Sequence, residues 1–195
     1  MIAILRPAAA LVALFTLLLG LAMPLAFTGV AGAVFPGKAG GSLIARDGKV
    51  VGSALLGQDF ASERYFHPRP STTIAPDPEN AGNTRAAPYN AAAPAASQLG
   101  PTSAALLETV KVRVAALGGG PVPADAVAAS GSGLDPHISP ENAARQIGRV
   151  ARVRGLPQAR VTELVAQHTN GRLFGLFGEP RINVLRLNLA LDTLQ

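Results

Sequence analysis

The hydrophobic residues are concentrated near the amino end, where AAALVALFTLLLGLAMPLAFTGVAGAVF runs from residue 8 to residue 35 without a charged side chain. A helix needs about 20 apolar residues to cross a bilayer, and it satisfies its own backbone hydrogen bonds there. The pattern therefore predicts a transmembrane helix over 8–35, preceded by a short flank of residues 1–7. Pro24 lacks a backbone N–H and is expected to kink this helix.

A cleavable signal peptide is the main alternative for the same stretch. Arg6 supplies a positive start, the leucine-rich run an apolar centre, and Ala31-Gly32-Ala33 a small-residue cleavage pattern. The apolar run is longer than the roughly 15 residues of a signal-peptide core, so we favour a retained anchor. Counting positive charges on its flanks would place the rest of the chain in the cytoplasm. That rule weakens for long translocated domains, so charge leaves the orientation open.

Residues 36–195 have the mixed pattern of a small domain that combines helices and strands. Asp47-Gly48 lies between two short apolar runs and predicts a β-hairpin. Residues 72–99 are rich in Ala and Pro and predict a long irregular segment, which is either functional or a disordered linker over 76–87. Within it, Tyr89-Asn90 is an aromatic–amide pair that could anchor the loop. The predicted fold class is therefore an α+β domain attached to one N-terminal transmembrane helix.

Three helices are predicted from apolar spacing and capping residues. The first, within 100–120, has one apolar face formed by Leu106, Leu107, Val110, Val114 and Leu117. The second begins at Ser139-Pro140 and ends at Gly155, with a buried stripe of Ala143, Ile147, Val150 and Ala151. The third covers roughly 158–168. The tail, 183–194, fits a strand and a helix equally well, because its leucines satisfy both periods.

Composition excludes several classes of function. The chain has no cysteine, so disulfides, thiolate metal sites and a cysteine nucleophile are ruled out. The net charge of +5 comes from dispersed basic residues without the interleaved aromatics of single-strand nucleic-acid binding, so we expect no nucleic-acid partner. No filter sequence of the TVGYG type occurs, so the chain is not a channel by itself.

An arginine stripe, one histidine and a run of glycines each have a functional and a structural interpretation. Arg145, Arg149 and Arg152 share one helix face, which is more often solvated than an anion site. His67 has no second ligand at helical metal spacing and is more often structural than catalytic. The glycines at 118–120 are not followed by the Gly-Lys-Ser/Thr of a phosphate loop.

The stretch SGSGLDPHISP, residues 130–140, brings serines, Asp135 and His137 together and raises the question of a hydrolytic triad. Ser132 does not fit the G-x-S-x-G pattern of a nucleophile elbow. We therefore interpret the stretch as a rigid turn that leads into a helix cap, and we expect no catalytic residue and no metal site there.

Six motifs occur in the order found in the C subunit of the Kdp-type potassium-transporting ATPase, the KdpC family. They are GSLI, GSALLGQDF, YFHPRPS, YNAAAPAASQLGPTS, PADAVAASGSGLDPHISPENAARQIGRVARVRGL and GEPRINVLRLNLALD. The chain resembles this family from the N-terminal span to Leu194. It departs at Gln98, where the family is expected to have Asn, and in the alanine-rich run before it.

The resemblance implies a non-catalytic accessory subunit of an inner-membrane complex that imports potassium at high affinity by hydrolysing ATP. Its implied partners are a channel-like potassium-binding subunit, a P-type ATPase subunit and a small single-span peptide. The family is described as a catalytic chaperone that raises the ATP affinity of the ATPase subunit, with Gln146 at the position of the nucleotide-binding glutamine. ATP would then be a cofactor shared with that subunit.

The family is also described as having its soluble domain in the periplasm, which conflicts with a contact to cytoplasmic ATP. We favour the periplasmic topology, because no phosphate-binding loop lies near Gln146. A periplasmic domain would stabilise the assembly or shape the potassium entrance. The remaining alternative is a periplasmic binding protein or hydrolase released by signal-peptide cleavage after Ala33.

Overall fold

The computed structural model describes residues 2–194 and divides into two compact units, Met1–Val51 and Gly52–Gln195. The first unit begins with an apolar helix made of α1 (Ile2–Leu17), one π-helical segment (Leu18–Ala22) and α2 (Met23–Val34). Residues Ala3–Val34 are long and apolar enough to span a membrane, and none of their most apolar window is buried. A signal sequence would pass the same test of length and composition.

The helix changes its hydrogen-bond pattern next to Pro24. The Met23 N–H donates to the Leu18 carbonyl, which gives the wider π-helical turn directly before the proline. Because Pro24 has no N–H to donate, an irregularity in the helical hydrogen bonds is expected there. The π-helical turn is this irregularity.

The first unit then continues into a short helix and a hairpin. These elements are α3 (Pro36–Ala39), β1 (Leu43–Arg46) and β2 (Lys49–Ser53), whose last residues pass the boundary of the unit. The predicted hairpin is confirmed, with Asp47 at φ 52° and Gly48 at φ 75°. Positive φ at both central residues is what a two-residue type I′ turn requires.

Among its described residues the second unit contains five helices, a two-stranded sheet and a small three-stranded antiparallel sheet. In chain order its elements are β3 (Ile74–Pro76), β4 (Thr84–Ala86), α4 (Ala104–Ala116), α5 (Ala124–Val127), β5 (His137–Ile138), α6 (Pro140–Arg154), α7 (Gln158–Gln167), β6 (Thr169–Asn170), β7 (Arg181–Asn183) and α8 (Val184–Leu191). Strand β7 lies in the middle of the sheet, with β5 on one side and β6 on the other. Helices α6, α7 and α8 supply most of the core. Its fully buried members include Phe66, Ala143, Val150, Val161, Ile182, Leu187 and Leu191.

The predicted fold class, an α+β domain with one N-terminal helix, is confirmed. Ser139 caps α6 by accepting a hydrogen bond from the Asn142 N–H, and Gly155 ends it in the left-handed conformation at φ 66°. The predicted stripe of α6 is buried, and α7 covers almost the predicted range. The ambiguous tail is a helix, because Asn183 caps it and its leucines face the core at helical spacing.

The predicted helix α4 forms, with Ser103 as its cap, but none of its residues is fully buried. Leu107 is 54% exposed, and Val112, outside the predicted face, is 69% exposed. The other members of the apolar face are half-buried, so the second unit covers this face only in part; they are Leu106, Val110, Val114 and Leu117.

Residues 72–99 are also less irregular than predicted. Strands β3 and β4 pair in antiparallel register, with Ile74 opposite Ala86. The turn between them is held by Asp77, which accepts hydrogen bonds from the Glu79 N–H and the Asn80 side chain. Local Asx-type bonding therefore orders the part of the segment that composition also allowed to be a linker.

Candidate functional site

The Pro-rich segment, residues 60–73, contains a turn at 62–65 and otherwise no helix or strand, and it crosses the second unit without joining its sheet. Pro68 and Pro70 cannot donate backbone hydrogen bonds, and they exclude helix. The remaining buried backbone groups still need partners. Side chains from α6 and α8 supply those partners, and this fixes the position of the segment.

Asn188 of α8 holds the segment at Phe66. Its amide nitrogen donates to the Phe66 carbonyl at 3.0 Å, and its amide oxygen accepts from the Phe66 N–H at 2.9 Å. Asn188 is 1% exposed and Phe66 is fully buried. The side chain thus pairs with the backbone as a neighbouring strand would.

Gln146 of α6 forms the equivalent pair with the next residue, His67. Its amide oxygen accepts from the His67 N–H at 2.7 Å, and its amide nitrogen donates to the His67 carbonyl at 3.1 Å. The second amide hydrogen goes to the Asn142 side-chain oxygen, and Arg149 donates to the amide oxygen at 2.8 Å. Both donors and both acceptor positions of this buried amide are therefore used within the chain.

Arginines complete the attachment of the segment. Arg149 donates to the Glu63 and Tyr65 carbonyls, and Arg154 donates to the Arg64 carbonyl and pairs with Asp192 at 2.7 Å. The Arg154 guanidinium also lies 4.9 Å from the centre of the Tyr65 ring, a cation–π distance.

The interpretation of Arg145, Arg149 and Arg152 as one solvated face was wrong. Arg145 and Arg152 are exposed, whereas Arg149 turns inward to bind backbone carbonyls of the Pro-rich segment. Burial, the largest cause, and the positive charges of Arg145 and Arg152 lower the pKa of Arg149, and the nearby Glu63 opposes this shift only in part.

Arg69 joins the Pro-rich segment to the turn at 130–140. Its Nη1 pairs with Asp135 at 2.9 Å, and its Nη2 donates to the carbonyls of Ala128 and Ala129. Its Nε is buried and has no hydrogen-bond partner among the residues that the structure describes. Asp135 also accepts from the N–H and Nδ1 of His137, at 3.0 and 3.3 Å. Burial alone would raise the pKa of Asp135, but hydrogen bonds from His137 and Arg69 outweigh it and lower that pKa.

The stretch 130–140 has the geometry of a turn and a helix start, as interpreted. The hydroxyl of Ser132 accepts from the Leu134 N–H, and His137 uses its ring nitrogen on Asp135 and its backbone in β5. Asp125 accepts from both the N–H and the hydroxyl of Ser139, each at 2.8 Å. The polar residues of this motif therefore hold the cap of α6 in place.

The aromatic–amide pair at 89–90 anchors its loop, as the sequence indicated. The Tyr89 hydroxyl donates to the Arg69 carbonyl at 2.8 Å, and the Asn90 side chain donates to the Ile74 carbonyl at 2.7 Å. Burial raises the pKa of Tyr89, and the negative charge of Asp135 adds to the effect. The Tyr89 ring lies so close to Gly57 that a Cβ there would come within 2.3 Å of it.

A cleft of about 400 Å³ opens between the Pro-rich segment, the end of α4 and α6. Its polar side chains include His67, Arg69, Asn142, Arg145 and Gln146. A second cavity of about 280 Å³ shares Arg145 and Gln146 and adds Arg149 and Glu63. Burial and the positive charge of Arg149 lower the pKa of His67. The cleft thus offers one loosely paired guanidinium, Arg145, beside amide groups that are already hydrogen-bonded.

The structure places Gln146 on the wall of this cleft, where its amide binds the Pro-rich segment. Among residues 2–194 no group of three His, Asp or Glu side chains is arranged to hold a metal ion. Sequence reasoning missed Asn188 and Arg154 as partners of the Pro-rich segment. The signal available was the segment itself, because two prolines keep it out of a helix and its buried backbone groups, those of Phe66 among them, must then pair with side chains.

Comparison with known proteins gives matches over almost the whole chain. The model of the family described as "KdpC: K+-transporting ATPase, c chain" matches residues 5–193. A protein of Methylorubrum extorquens, named "Potassium-transporting ATPase KdpC subunit", is 60% identical over 96% of this chain and 95% of its own length. Proteins with the same name from Methylorubrum populi and Bradyrhizobium diazoefficiens are 58% and 55% identical. These two matches cover 97% and 96% of this chain, and 96% and 95% of the respective relatives.

The motifs that carry the resemblance are also the ones that build the site. YFHPRPS forms the Pro-rich segment, SGSGLDPHISPENAARQ forms the turn and the Gln146 helix, and RINVLRLNLALD supplies β7 and the Asn188 helix. The predicted resemblance is confirmed by the family match and by the identity of these relatives. This chain belongs to the KdpC family of K+-transporting ATPase c chains.

Proposed function

We propose that this chain is a membrane-anchored, non-catalytic accessory subunit of a potassium-transporting ATPase in the bacterial inner membrane. The observation that carries the proposal is the family match over residues 5–193, which includes both the apolar helix and the second unit. Relatives up to 60% identical have the name of a potassium-transporting ATPase subunit. The helix Ala3–Val34 supports anchoring, because its exposed apolar surface suits lipid.

The proposed partners are a channel-like potassium-binding subunit, a P-type ATPase subunit and a small single-span peptide. The exposed apolar residues of α4 support a role in assembly. These residues, Leu107 and Val112, lie on a helix that the second unit covers only in part.

A pull-down from the native membrane tests this proposal. We expect a C-terminally tagged chain, extracted in mild detergent after potassium starvation, to bring larger membrane subunits and potassium-stimulated ATP hydrolysis with it. The measured mass of the eluted chain should be that of a chain that retains the apolar helix. A chain that elutes alone and begins after Ala33 would contradict the proposal and favour a released periplasmic protein.

We further propose that the second unit lies in the periplasm and raises the ATP affinity of the ATPase subunit indirectly, by stabilising the assembly. The saturated amide of Gln146 supports this, because a direct nucleotide contact would have to replace hydrogen bonds that hold the Pro-rich segment. The nucleotide contact of Gln146 implied by the resemblance stays a prediction. ATP as a cofactor shared with the ATPase subunit likewise stays a prediction.

A matched pair of variants separates the direct contact from the indirect effect. Gln146→Ala and Asn188→Ala remove the same kind of amide–backbone pair, but only Gln146 lines the cleft. We expect both to lower the yield of assembled pump and to leave the KM for ATP of the pumps that assemble within about twofold of the parent. A KM raised about tenfold in Gln146→Ala alone would establish the nucleotide contact and contradict the indirect role.

A further inference from the structure

The most exposed apolar group of the second unit is a hairpin tip, residues 173–177. Leu173, Phe174, Leu176 and Phe177 are 62%, 84%, 74% and 67% exposed. None of them belongs to the hydrophobic core. A soluble surface rarely concentrates four large apolar side chains in five residues without a use for them.

The tip is preformed and not a loose loop. Leu173 and Phe177 exchange two backbone hydrogen bonds, of 2.9 and 3.0 Å, and Gly175 turns the chain between them with φ 73°. At its base, Arg172 donates to both carboxylate oxygens of Glu179, at 2.9 and 2.8 Å. A fixed tip loses little conformational freedom when it binds.

The charges around the tip favour binding to an anionic surface. Glu179, the acid at its base, is neutralised by Arg172. Arg181 is exposed and has no ion-pair partner among the described residues. Its Nη1 would lie 3.7 Å from a Cβ built on Gly178, directly beside the tip. An apolar tip rimmed by a free guanidinium matches the boundary between acyl chains and phosphate headgroups.

We propose that the tip 173–177 inserts into the headgroup boundary of the same bilayer that holds the N-terminal helix, with Arg181 on lipid phosphates. The inference rests on the proposed membrane anchoring. The residues between Val34 and Gly52 include α3 and the β1–β2 hairpin, so their reach stays below the roughly 60 Å of a fully extended chain. Such a tether keeps the second unit at high effective concentration near the bilayer, so a small tip is enough to bind. A tip of five residues is also far smaller than a stable protein interface requires.

Depth-dependent quenching in the full chain tests the insertion, and the absence of cysteine makes single-site labelling clean. Leu176→Cys carries an environment-sensitive fluorophore, and the control Ala81→Cys carries it on an exposed turn of the second unit. The full chain is reconstituted in vesicles of phosphatidylethanolamine and phosphatidylglycerol that contain a lipid-borne quencher. The quenching measurement does not depend on which side of the membrane the second unit occupies.

We expect lipid quenching at position 176 to exceed that at position 81 by at least about twofold, with blue-shifted emission at 176 only. Phe174→Ser in the labelled chain should reduce the quenching. Arg181→Gln should reduce the dependence of the quenching on phosphatidylglycerol. Arg85→Gln, which changes an exposed strand residue, should not.

Equal quenching at both positions in a chain that co-floats with the vesicles would overturn the inference and leave the anchoring intact. A chain that does not co-float would overturn both. Shielding of position 176 only after the pump subunits are added, without lipid quenching, would also overturn it and assign the tip to a protein partner.

Discussion

Replacing Asn188 by alanine is expected to lower the free energy of unfolding of the second unit by on the order of 3 kcal/mol, because each buried polar group left without a partner costs about 1–3 kcal/mol. The change leaves both the N–H and the carbonyl of Phe66 unpaired in a site that is closed to water. It also leaves a small cavity beside Phe66. The loss is large against the marginal stability of folded domains.

Near-ultraviolet circular dichroism during chemical denaturation measures this change. The chain has no tryptophan and two tyrosines, Tyr65 and Tyr89, both in the second unit, so the tyrosine signal reports that unit and not the apolar helix. The matched control is Asn80→Ala, since Asn80 is exposed and its side chain bonds to Asp77 alone among the described residues. We expect the control to stay within about 0.5 kcal/mol of the parent. Equal unfolding midpoints for both variants would show that the Asn188 pair does not stabilise the Pro-rich segment.

The second large effect is expected for Gly133→Ala, in the turn at 130–140. A Cβ at this position would lie 2.6 Å from the Ala95 carbonyl oxygen and 2.7 Å from the Thr73 methyl group. The residue also has φ 69°, a left-handed conformation that costs a residue other than glycine roughly 1–2 kcal/mol. Overpacking adds typically about 1–3 kcal/mol, so we expect a total loss of about 2–5 kcal/mol.

Gly119→Ala separates the two contributions. Gly119 has φ 73°, nearly the same as Gly133, but a Cβ there would meet nothing within 4 Å. The control should therefore show the conformational cost alone, and thermal unfolding followed by the tyrosine signal compares the two variants directly. If Gly133→Ala and Gly119→Ala lose equal stability, the close approach of the Ala95 carbonyl has no energetic importance.

Local features of the fold could be predicted from the sequence, because their causes are local. Ser139, Pro140 and Gly155 define α6 through capping and backbone conformation, and Asp47-Gly48 defines a hairpin in the same way. The tail could not be assigned, since alternating leucines also satisfy a helical stripe when Asn183 caps the turn. Tertiary packing decided between two patterns that the sequence allowed equally.

The site could be predicted only in part, because its key bonds join residues far apart in the chain. Gln146 was singled out through the resemblance, but nothing near it indicates that its amide pairs with His67, 79 positions away. Arg149 looked like its neighbours on the helix, and only the position of the Pro-rich segment turns it inward. The partly covered face of α4 shows the same limit, since periodicity does not tell how much of an apolar face is covered or by what.

The position of β7 and α8 has a consequence for biosynthesis. These last elements provide the central strand of the sheet and the Asn188 amide that binds Phe66, 122 residues earlier. The apolar helix, in contrast, precedes all of these elements in the chain. Because synthesis runs from the amino end, the core of the second unit cannot close before α8 has left the ribosome. We therefore expect the Pro-rich segment of the nascent chain to lack its Asn188 partner until that point.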